Sequence, residues 1–526
     1  MAPHKILIAD SLDPSGLEAL QQSGAEVHEL TAAERPRLKE LLADYDALVV
    51  RSSTKVTADL LRAGTRLKVV GRAGIGVDNV DVTAATEMGV LVVNAPTANL
   101  ISATEHTFAL LLALARKVPA ADGAMKRQDW DRKSFTGFEL KGKRLGVIGF
   151  GRIGQGVAAR ARSFEMDVAA FDPHLDPAVA RRLEVPLMSL PELLGWADVV
   201  TLHIPLTEET RNLLGPSELA HMKPGALLVN CARGGVVDEA ALLAALEADK
   251  IGGAAVDVFA DEPPTDWKLA THPRVVSTPH IGAQTVEAQE RIALETSRMV
   301  LAALDGSLAI SAVNLPFRPA GARSEPFMRL GEQLGRLAGC LLGGSVNRLR
   351  VDLWGIEESL AVPVTVAAVK GALTCFLGEA VNYVNAEKLA AARGIEVVRA
   401  VRPEPGDYPH LVGVSLAGES GEVDLAGALF GERDARVVRF RGFQLEFRPE
   451  GRLMVLSNRD VPGVVGRLGT ILGDAGVNIA EIHLARVADR GDAMAVLRLD
   501  QHPAPDVMAH IASLPEIQSV QMADLR

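Results

Sequence analysis

Three residues in the middle of the chain could together move a proton and a hydride. Arg233 supplies a permanent cation, Glu262 a carboxylate and His280 an imidazole, in that order along the chain. A planar guanidinium binds a carboxylate through two parallel hydrogen bonds, and an imidazole with a pKa of about 6.5 exchanges protons near neutral pH. Glu262 would orient that imidazole through its second nitrogen. The trio therefore suits the oxidation of a 2-hydroxy acid, with His280 as the base and Arg233 on the substrate carboxylate.

A glycine-rich loop upstream predicts the carrier of the hydride. The loop, Gly149-Phe150-Gly151-Arg152-Ile153-Gly154, follows an apolar strand pattern at 145–148 and opens a helix pattern at 155–164. Gly149 permits a tight turn, Gly151 lets the backbone approach a pyrophosphate, and Gly154 allows close packing of helix on strand. The N–H groups at the start of the helix would bind the anion. We predict a dinucleotide site here that includes Arg152 and Ile153.

Asp172 indicates which dinucleotide to expect. It ends the next strand pattern, 168–171, and is followed by Pro173. A carboxylate in this position accepts hydrogen bonds from ribose hydroxyls and repels a 2′-phosphate, and no cation follows that would reverse the preference. The sequence therefore predicts an NAD-dependent dehydrogenase.

The length and composition fit an enzyme of more than one domain. A length of 526 residues favours three or four domains, and the net charge of −11 argues against binding to nucleic acid or to an anionic membrane surface. The longest apolar run, 108–115, is far shorter than the ~20 residues that cross a bilayer, and no signal segment precedes the first strand. The cysteines Cys231, Cys340 and Cys375 lack a pairing or metal-ligand spacing. We therefore expect buried thiols, no metal site and a reducing, cytoplasmic compartment.

Two series of alternating strands and helices come first. Apolar strands at 6–8, 47–50, 67–70 and 90–93 alternate with helix patterns such as 14–22 and 58–63. After a long helix pattern at 101–117, a second series runs through 199–202, 226–229, 253–256 and 275–277. This alternation predicts two doubly wound α/β domains with parallel sheets. A last long helix, 284–304, leads to a linker marked by Pro316, Pro319 and Gly321.

The carboxy-terminal part predicts two smaller domains. Between 317 and 450 we expect a helix at 379–393 and alternating strands at 437–447. Interleaved arginines form either a solvated sheet face or an anion site: Arg433, Arg436, Arg439, Arg441 and Arg448. From Arg452 the order strand, helix, strand, strand, helix, strand predicts a ferredoxin-like module.

Four motifs in chain order carry a resemblance to a known family. They are the glycine loop, Asn230-Cys231-Ala232-Arg233-Gly234-Gly235, Asp257-Val258-Phe259 through Glu262-Pro263, and Thr278-Pro279-His280-Ile281-Gly282. In these motifs the chain resembles the D-isomer-specific 2-hydroxyacid dehydrogenases. Arg51-Ser52-Ser53-Thr54, the segment from Arg72 to Asn79 and a tail similar to an ACT domain narrow the resemblance to long members that oxidise 3-phosphoglycerate.

The resemblance implies four domains and an activity. Residues 1–97 and 283–315 would form a discontinuous, flavodoxin-like substrate domain, and 98–282 a Rossmann domain that binds NAD. Residues 317–451 would form an α+β intervening domain, and 452–526 the ACT domain. The activity implied is NAD-dependent oxidation of 3-phosphoglycerate to 3-phosphohydroxypyruvate, the first step of the phosphorylated route to L-serine, in a homo-oligomer that is a dimer or a tetramer. Two alternatives stay open: a relative acting on 2-hydroxyglutarate, glyoxylate or lactate, and a non-enzymatic NADH sensor similar to the family's corepressors.

The resemblance also assigns residues to the cleft. The substrate would be held by Arg51, Ser52, Ser53, Gly74, Asn99, Arg233 and His280. Besides the glycine loop and Asp172, the cofactor would be held by Ile75, His203, Ile204, Pro205, Cys231, Ala232, Asp257 and Gly282. Arg132 and Lys133 lie either at the cleft mouth or in a solvated loop. We interpret His106 as a core or interface histidine and the Cys231 thiol as packing, since hydride transfer needs no nucleophile.

The tail offers a candidate effector site. In ACT domains the turn after the first strand and the start of the second frame an amino-acid site, often across a dimer interface. Asn458, Asp460 and Asn478 occupy those positions and would hold L-serine. The turn Asp460-Val461-Pro462-Gly463 departs from the family's usual Arg-Pro-Gly form, so the module is either an effector site or an assembly element.

Overall fold

The first domain is built on a parallel sheet of short, aliphatic strands. The computed structural model describes residues 3–307, 312–317, 324–402, 404, 407–487 and 491–526. The sheet has the order β2-β1-β3-β4-β5, and each strand is four residues long. The central strands β1 and β3 are unbroken apolar or nearly apolar runs because both faces of the sheet are buried there. The strands are β1 Lys5–Ile8, β2 Glu26–Glu29, β3 Ala47–Val50, β4 Val69–Arg72 and β5 Leu91–Asn94. The helices between them are α1 Pro14–Gln22, α2 Leu38–Leu41, α3 Ala58–Ala63 and α4 Val82–Glu87, with 3₁₀ turns at Arg35–Arg37 and Leu42–Asp44.

The second domain is a six-stranded parallel sheet whose strand order reverses between β6 and β8. The order is β11-β10-β9-β8-β6-β7, and ligands of such sheets bind at the point of reversal. The strands are β6 Arg144–Ile148, β7 Asp167–Phe171, β8 Val199–Leu202, β9 Leu227–Asn230, β10 Gly253–Val256 and β11 Val275–Ser277. The helices are α5 Leu100–Ala115, α6 Val118–Lys126, α7 Arg152–Ser163, α8 Pro177–Arg182, α9 Leu190–Trp196, α10 Pro216–His221 and α11 Glu239–Glu247.

Helix α12, Val286–Leu304, returns from the second domain to the first. Its Ser297 hydroxyl donates to the carbonyl of Gly16 in α1 at 2.9 Å, and Val300 lies so close to Gly71 in β4 that a Cβ on Gly71 would be 2.5 Å from it. Beyond α12, Asn314 bonds to the backbone of Val90 and Val92. The predicted linker begins here with Pro316, while Pro319 and Gly321 lie outside the described residues.

The intervening domain packs two parallel helices on a six-stranded sheet of order β13-β12-β14-β15-β16-β17. Glu358–Leu377 is apolar and long enough to cross a membrane, but 67% of its apolar window is buried inside the protein. This helix, α14, is therefore a core helix. The strands are β12 Val346–Trp354, β13 Glu396–Arg402, β14 Leu411–Gly418, β15 Gly421–Phe430, β16 Asp434–Phe440 and β17 Phe443–Phe447. The helices are α13 Ser324–Leu342, α14 Ala361–Leu377 and α15 Ala386–Ala392, with 3₁₀ turns at Glu358–Leu360 and Gly378–Ala380.

Two predictions for the intervening domain were wrong. The predicted helix 379–393 is helical only as α15, because the side chains of Asn382 and Asn385 bond to nearby backbone groups and form a turn instead. The thiols of Cys340 and Cys375, predicted to be unpaired, form a disulfide. Close packing of α13 on α14 brings their Cα atoms to 5.5 Å, although 35 residues separate them in the chain.

The interleaved arginines are partly neutralised by acids. Arg436 pairs with Asp434 and Glu446, and Arg448 also pairs with Asp434. These pairs are typical of a solvated sheet face. Arg441 is more enclosed, and its guanidinium donates to Gln521 of the last strand of the chain at 3.2 Å.

The carboxy-terminal domain, which the sequence predicts to be an ACT domain, is a four-stranded antiparallel sheet of order β19-β20-β18-β21 with two helices on one face. The predicted order of elements is confirmed. On the opposite face, residues such as Val455 and Val496 belong to the same buried cluster as Leu334 and Leu337 of α13. The elements are β18 Arg452–Arg459, α16 Val464–Asp474, β19 Ile479–Val487, β20 Asp492–Leu499, α17 Pro505–Ala512 and β21 Ile517–Asp524.

Candidate active site

His280 and Glu262 form a hydrogen-bonded pair at the carboxyl edge of the second sheet. Nδ1 of His280 lies 2.7 Å from Oε2 of Glu262, and the other carboxylate oxygen accepts from the backbone N–H of Phe259 at 3.2 Å. Since Nδ1 is occupied, Nε2 is the nitrogen that can receive a substrate proton. His280 has a left-handed backbone with φ of 54°, and its N–H donates to the carbonyl of Asp257 at 2.8 Å. The pair is thus fixed from both the side chain and the backbone.

Asp257 holds the loop that carries His280. Its carboxylate is buried and accepts from the N–H groups of Ile281 and Gly282, both at 2.8 Å, and from the hydroxyl of Thr278 at 2.6 Å. Burial alone would raise the pKa of Asp257, but hydrogen bonds from His106, Thr278 and Ile281 outweigh it and lower the pKa. His106 is accordingly a largely buried, hydrogen-bonded histidine. The predicted contact of Asp257 with nicotinamide stays a prediction.

Arg233 faces the first domain across the cleft. Its Nε lies 3.1 Å from a carboxylate oxygen of Asp78, and its Nη1 donates to the carbonyl of Ala232 at 2.7 Å. A Cβ on Gly76 would be 2.2 Å from Nη2 of Arg233, so only glycine leaves room for the guanidinium. The cation predicted to bind the substrate carboxylate therefore lies between the two domains.

Arg72 joins this site, and sequence analysis did not assign it. It ends β4, and its Nη1 would be 1.6 Å from a Cβ on Gly74, so this position has room for glycine but not for a residue with a side chain. Its buried Nε has no hydrogen-bond partner among the described residues. Burial, followed by the like charges of Arg233 and Arg51, lowers the pKa of Arg72 to about 10. The available signal was a cation at a strand end, two residues before Gly74.

Arg51 follows the carboxyl end of β3 and is held at that edge of the first sheet by hydrogen bonds. Its N–H donates to Asp10 at 2.7 Å, and its guanidinium donates to Gln289 of α12. The hydroxyl of Ser53 also donates to Asp10, at 2.7 Å, while Ser52 is exposed. Asp10 thus shapes the segment predicted to bind phosphate, and the roles of Ser52 and Ser53 stay predictions.

The glycine loop has the shape that a pyrophosphate needs. Gly149 has a φ of +87°, and a Cβ there would be 2.5 Å from Ile204. A Cβ on Gly151 would meet nothing within 4 Å, so the space above the start of α7 is open, whereas one on Gly154 would be 2.2 Å from the carbonyl of Gly149. Asp172 accepts from the N–H of Phe150 at 2.9 Å. The loop, its helix N-terminus and Asp172 therefore fit a bound NAD.

The other predicted cofactor residues surround this loop. His203 follows β8 and contacts the hydroxyl of Thr201 at 3.0 Å, and burial lowers its pKa to about 3. Burial, followed by the charge of Asp257, raises the pKa of the Cys231 thiol to about 12. Both groups are therefore neutral at physiological pH, which agrees with a packing role for Cys231. The loops after β8 and β9 contain Ile204, Pro205 and Ala232. Helix α7 after β6 begins with Arg152 and Ile153, and Gly282 lies two residues after His280.

One predicted substrate residue, Asn99, one predicted cofactor residue, Ile75, and two surface cations remain to be located. Asn99 precedes α5, and its buried Oδ1 has no hydrogen-bond partner among the described residues. The backbone of Ile75 accepts from Asn94 at 2.5 Å. Arg132 and Lys133 are exposed, in the loop after Trp130. Within the part of the chain that the structure describes, no cluster of three or more His, Cys, Asp or Glu side chains could hold a metal ion.

The structure separates the three predicted effector residues. Asn458 and Asp460 line a cavity of ≈ 300 Å³ in the ACT domain. Asn478 lies elsewhere and donates to Asp500 at 2.6 Å. The register pairs Asn458 with Ala493, and Ile479 with Leu499, which places Asn478 about 20 Å along the sheet from Asn458. The three residues do not meet within one chain, because the crossover helix α16 starts β19 at the opposite end of the sheet. A site that joins them across a dimer interface stays a prediction.

The doubly wound second domain, its glycine loop and the histidine–carboxylate pair define an NAD-dependent dehydrogenase. Residues 108–282 match the D-isomer specific 2-hydroxyacid dehydrogenase NAD binding domain, 323–441 the D-3-phosphoglycerate dehydrogenase intervening domain, and 452–516 the ACT domain. The chain belongs to the D-3-phosphoglycerate dehydrogenase family. The resemblance found in the sequence, the fold class and NAD as cofactor are thereby confirmed.

Individual relatives span either the whole chain or its first two domains. The D-3-phosphoglycerate dehydrogenase of Synechocystis sp. is 42% identical, covering 95% of this chain and 91% of its own length. That of Methanocaldococcus jannaschii is 41% identical, covering 99% and 100%. The structure of D-lactate dehydrogenase from Aquifex aeolicus, complexed with NAD and lactic acid, is 30% identical with a TM-score of 0.54, covering 59% of this chain and 99% of that one. The family's full set of domains is thus present here.

Proposed function

We propose that the chain oxidises D-3-phosphoglycerate to 3-phosphohydroxypyruvate, with NAD as the hydride acceptor, as the first step of a route to L-serine. The observation that carries the proposal is the cluster of Arg51, Arg72 and Arg233, which the chain combines with the His280–Glu262 pair. A phosphorylated hydroxy acid bears a carboxylate and a phosphate of charge about −1.5 to −2. Three guanidiniums at one cleft suit that charge better than they suit lactate.

The residues of the chain divide the chemistry between them. Arg233 binds the substrate carboxylate and polarises the C2 oxygen, while Arg51 and Arg72 hold the phosphate. Nε2 of His280 takes the proton from the C2 hydroxyl, and Glu262 stabilises the imidazolium that results. NAD, held by the glycine loop and Asp172, supplies the acceptor for the hydride that leaves C2.

Formation of NADH from 3-phosphoglycerate and from unphosphorylated D-lactate tests the proposal. We expect kcat/KM to be far higher with the phosphorylated acid. Arg51→Ala should lower kcat/KM for 3-phosphoglycerate much more than for D-lactate, because its cation is assigned to the phosphate. The exposed Arg62 serves as control, since Arg62→Ala should change neither. Equal losses on both acids would instead favour a lactate, glyoxylate or 2-hydroxyglutarate type of enzyme, and no turnover of any acid would favour an NADH sensor.

We also propose that the ACT domain binds an amino-acid effector, L-serine. Support comes from the cavity beside Asn458 and Asp460, where the buried Oδ1 of Asn458 has no hydrogen-bond partner among the described residues. Calorimetric titration of the full-length protein with L-serine tests it, and Asn458→Ala should abolish the heat. No heat at millimolar serine would leave the domain an assembly element.

A homo-oligomer, dimer or tetramer, and a cytoplasmic location remain predictions. The Cys340–Cys375 disulfide removes part of the argument for a reducing compartment.

A further inference from the structure

A turn of the intervening domain touches the substrate domain at Gly89. Nδ2 of Asn382 donates to the carbonyl oxygen of Gly89 at 2.6 Å. A Cβ built on Gly89 would lie 2.7 Å from the Nδ2 atoms of both Asn382 and Asn385. Gly89 also has a φ of +72°, a conformation that favours glycine. The two domains therefore meet in a contact that allows no side chain at this position.

The turn is internally fixed, so its donor is held in place. Oδ1 of Asn382 accepts from the N–H groups of Val384 and Asn385, at 3.0 and 3.2 Å. Oδ1 of Asn385 accepts from the N–H of Asn382 at 2.8 Å, and its Nδ2 donates to the carbonyl of Ala380 at 2.9 Å. Nδ2 of Asn382 is thus the amide group of this turn that bonds to the other domain.

Side-chain contacts connect the turn to α13 and to the ACT domain. The hydroxyl of Tyr383 bonds to Glu332 of α13, which also pairs with Lys370 of α14. The Lys370 ammonium lies 4.6 Å from the centre of the Tyr383 ring. Further along α13, the carbonyl of Leu341 accepts from Gln521 of β21 at 2.9 Å. Helix α13 thus contacts both the turn and the ACT sheet.

On the side of the substrate domain, Gly89 lies just before β5, and the far end of that strand reaches the backbone of the substrate cleft. Asn94 at the end of that strand donates to the carbonyl of Ile75 at 2.5 Å. The next residue, Ala95, donates from its N–H to the carbonyl of Gly74 at 3.0 Å. Gly74 and Gly76 are the positions against which Arg72 and Arg233 pack. β5 thus joins the docking point to the backbone beneath the cleft cations.

We propose that the turn at 382–385 is a docking latch that couples the intervening and ACT domains to the substrate cleft. In the docked state the latch fixes the start of β5 and, through it, the backbone at 74–76. In the undocked state both loosen. Because coupling is reciprocal, a ligand that orders the cleft must favour docking by the same factor. The docking part stands alone, whereas the coupling part rests on the proposed function.

Amide hydrogen exchange of the full-length protein, read by mass spectrometry, tests the docking part. Asn382→Asp keeps the acceptor that the turn needs and replaces the donor with an oxygen facing the Gly89 carbonyl; Asn382→Ala removes both. Loss of one hydrogen bond predicts about two- to tenfold faster exchange in peptides covering 86–94. Lys388→Ala, an exposed change on α15, should leave these peptides unchanged. Wild-type exchange at 86–94 in both Asn382 variants would overturn the latch.

The coupling part is tested in the same experiment with 3-phosphoglycerate and NADH, a pair that cannot react. Compared with NADH alone, this pair should slow exchange in the wild type at 380–386 as well as at 230–236, and the effect at 380–386 should be lost in Asn382→Asp. Slowing at 230–236 without slowing at 380–386 would show a bound substrate and no coupling. No slowing at 230–236 would reject the proposed substrate, and the coupling part with it.

Discussion

At the scale of single residues, the surroundings of each side chain in the second domain determine whether that side chain can carry a charge. Nδ1 of His280 is hydrogen-bonded to the Glu262 carboxylate, which leaves Nε2 to exchange a proton with a substrate. His203 and Cys231 lie within the same domain, but burial keeps both neutral. Proton transfer is thereby concentrated on a single imidazole.

Replacing His280 should separate catalysis from cofactor binding. In His280→Ala we expect turnover to fall about 10²- to 10⁴-fold, because the proton carrier is lost, while NADH binding measured by fluorescence stays nearly intact. His221 is an exposed histidine of α10, and His221→Ala should behave as the wild type. Turnover near the wild-type value in His280→Ala would remove His280 from the role of base.

Cys231 should resist alkylation in the folded protein. With a pKa of about 12, only about one thiol in 10⁴ is ionised at pH 8, and the thiolate is the reactive form. Iodoacetamide should therefore leave both the mass of the peptide containing Cys231 and the turnover unchanged over an hour. The denatured protein provides the control, in which Cys231 should be labelled completely. Rapid labelling of the native protein would contradict the assignment of a packing role.

At the scale of elements, prediction from sequence succeeded where a function needs residues close in the chain. The glycine loop, its strand and its helix lie within 144–163 and were located from spacing alone. Arg72 was not assigned, because its role depends on Arg51 and Arg233, which belong to other segments. The disulfide and the separation of Asn478 from Asn458 depend on how helices and strands pack. Periodicity carries no information about such distances.

The loop after β11 gives a prediction for Asp257. Asp257→Asn presents an amide donor to N–H groups, so the loop should loosen and turnover should fall about 10- to 100-fold. The pKa of Asp257 is below its usual value of 3.8, so its stabilisation is complete above that pH and is lost as the pH falls further. The deficit in melting temperature should thus be largest near pH 7 and shrink in acid.

Calorimetry over a series of pH values measures that deficit. Asp249→Asn is the control, since Asp249 is exposed and pairs with Arg274 at the surface. A deficit for Asp257→Asn that does not change with pH would contradict a charge-dependent role.

At the scale of the whole molecule, the intervening and ACT domains share one buried apolar cluster. Leu453, Val455, Met494, Val496 and Ala523 of the ACT sheet share a buried cluster with the intervening domain. The other face of the same sheet packs on its own helices. The ACT sheet is thus sandwiched, and its separation would expose apolar surface on both partners.

Thermal unfolding of the fragment 324–526 should therefore show one transition. Val455→Ala, which removes buried methyl groups at the shared face, should destabilise that single transition by about 1–3 kcal/mol. Arg459→Ala, at the exposed end of the same strand, should change it little. Two resolved transitions, with only one shifted by Val455→Ala, would show two independently folding domains.

The contact between Arg233 and Asp78 gives substrate recognition a particular form. In this structure the guanidinium already has a carboxylate partner, supplied by the opposite domain. Binding of an acid at Arg233 is then an exchange of one carboxylate for another, and its free energy is a difference between two similar ion pairs. An acid with nothing more than its carboxylate gains little from that exchange. Selectivity therefore has to come from the other groups of the acid, such as a phosphate. Asp78 competes with the carboxylate of every substrate for Arg233, so a substrate binds well only when these other groups add to its binding free energy.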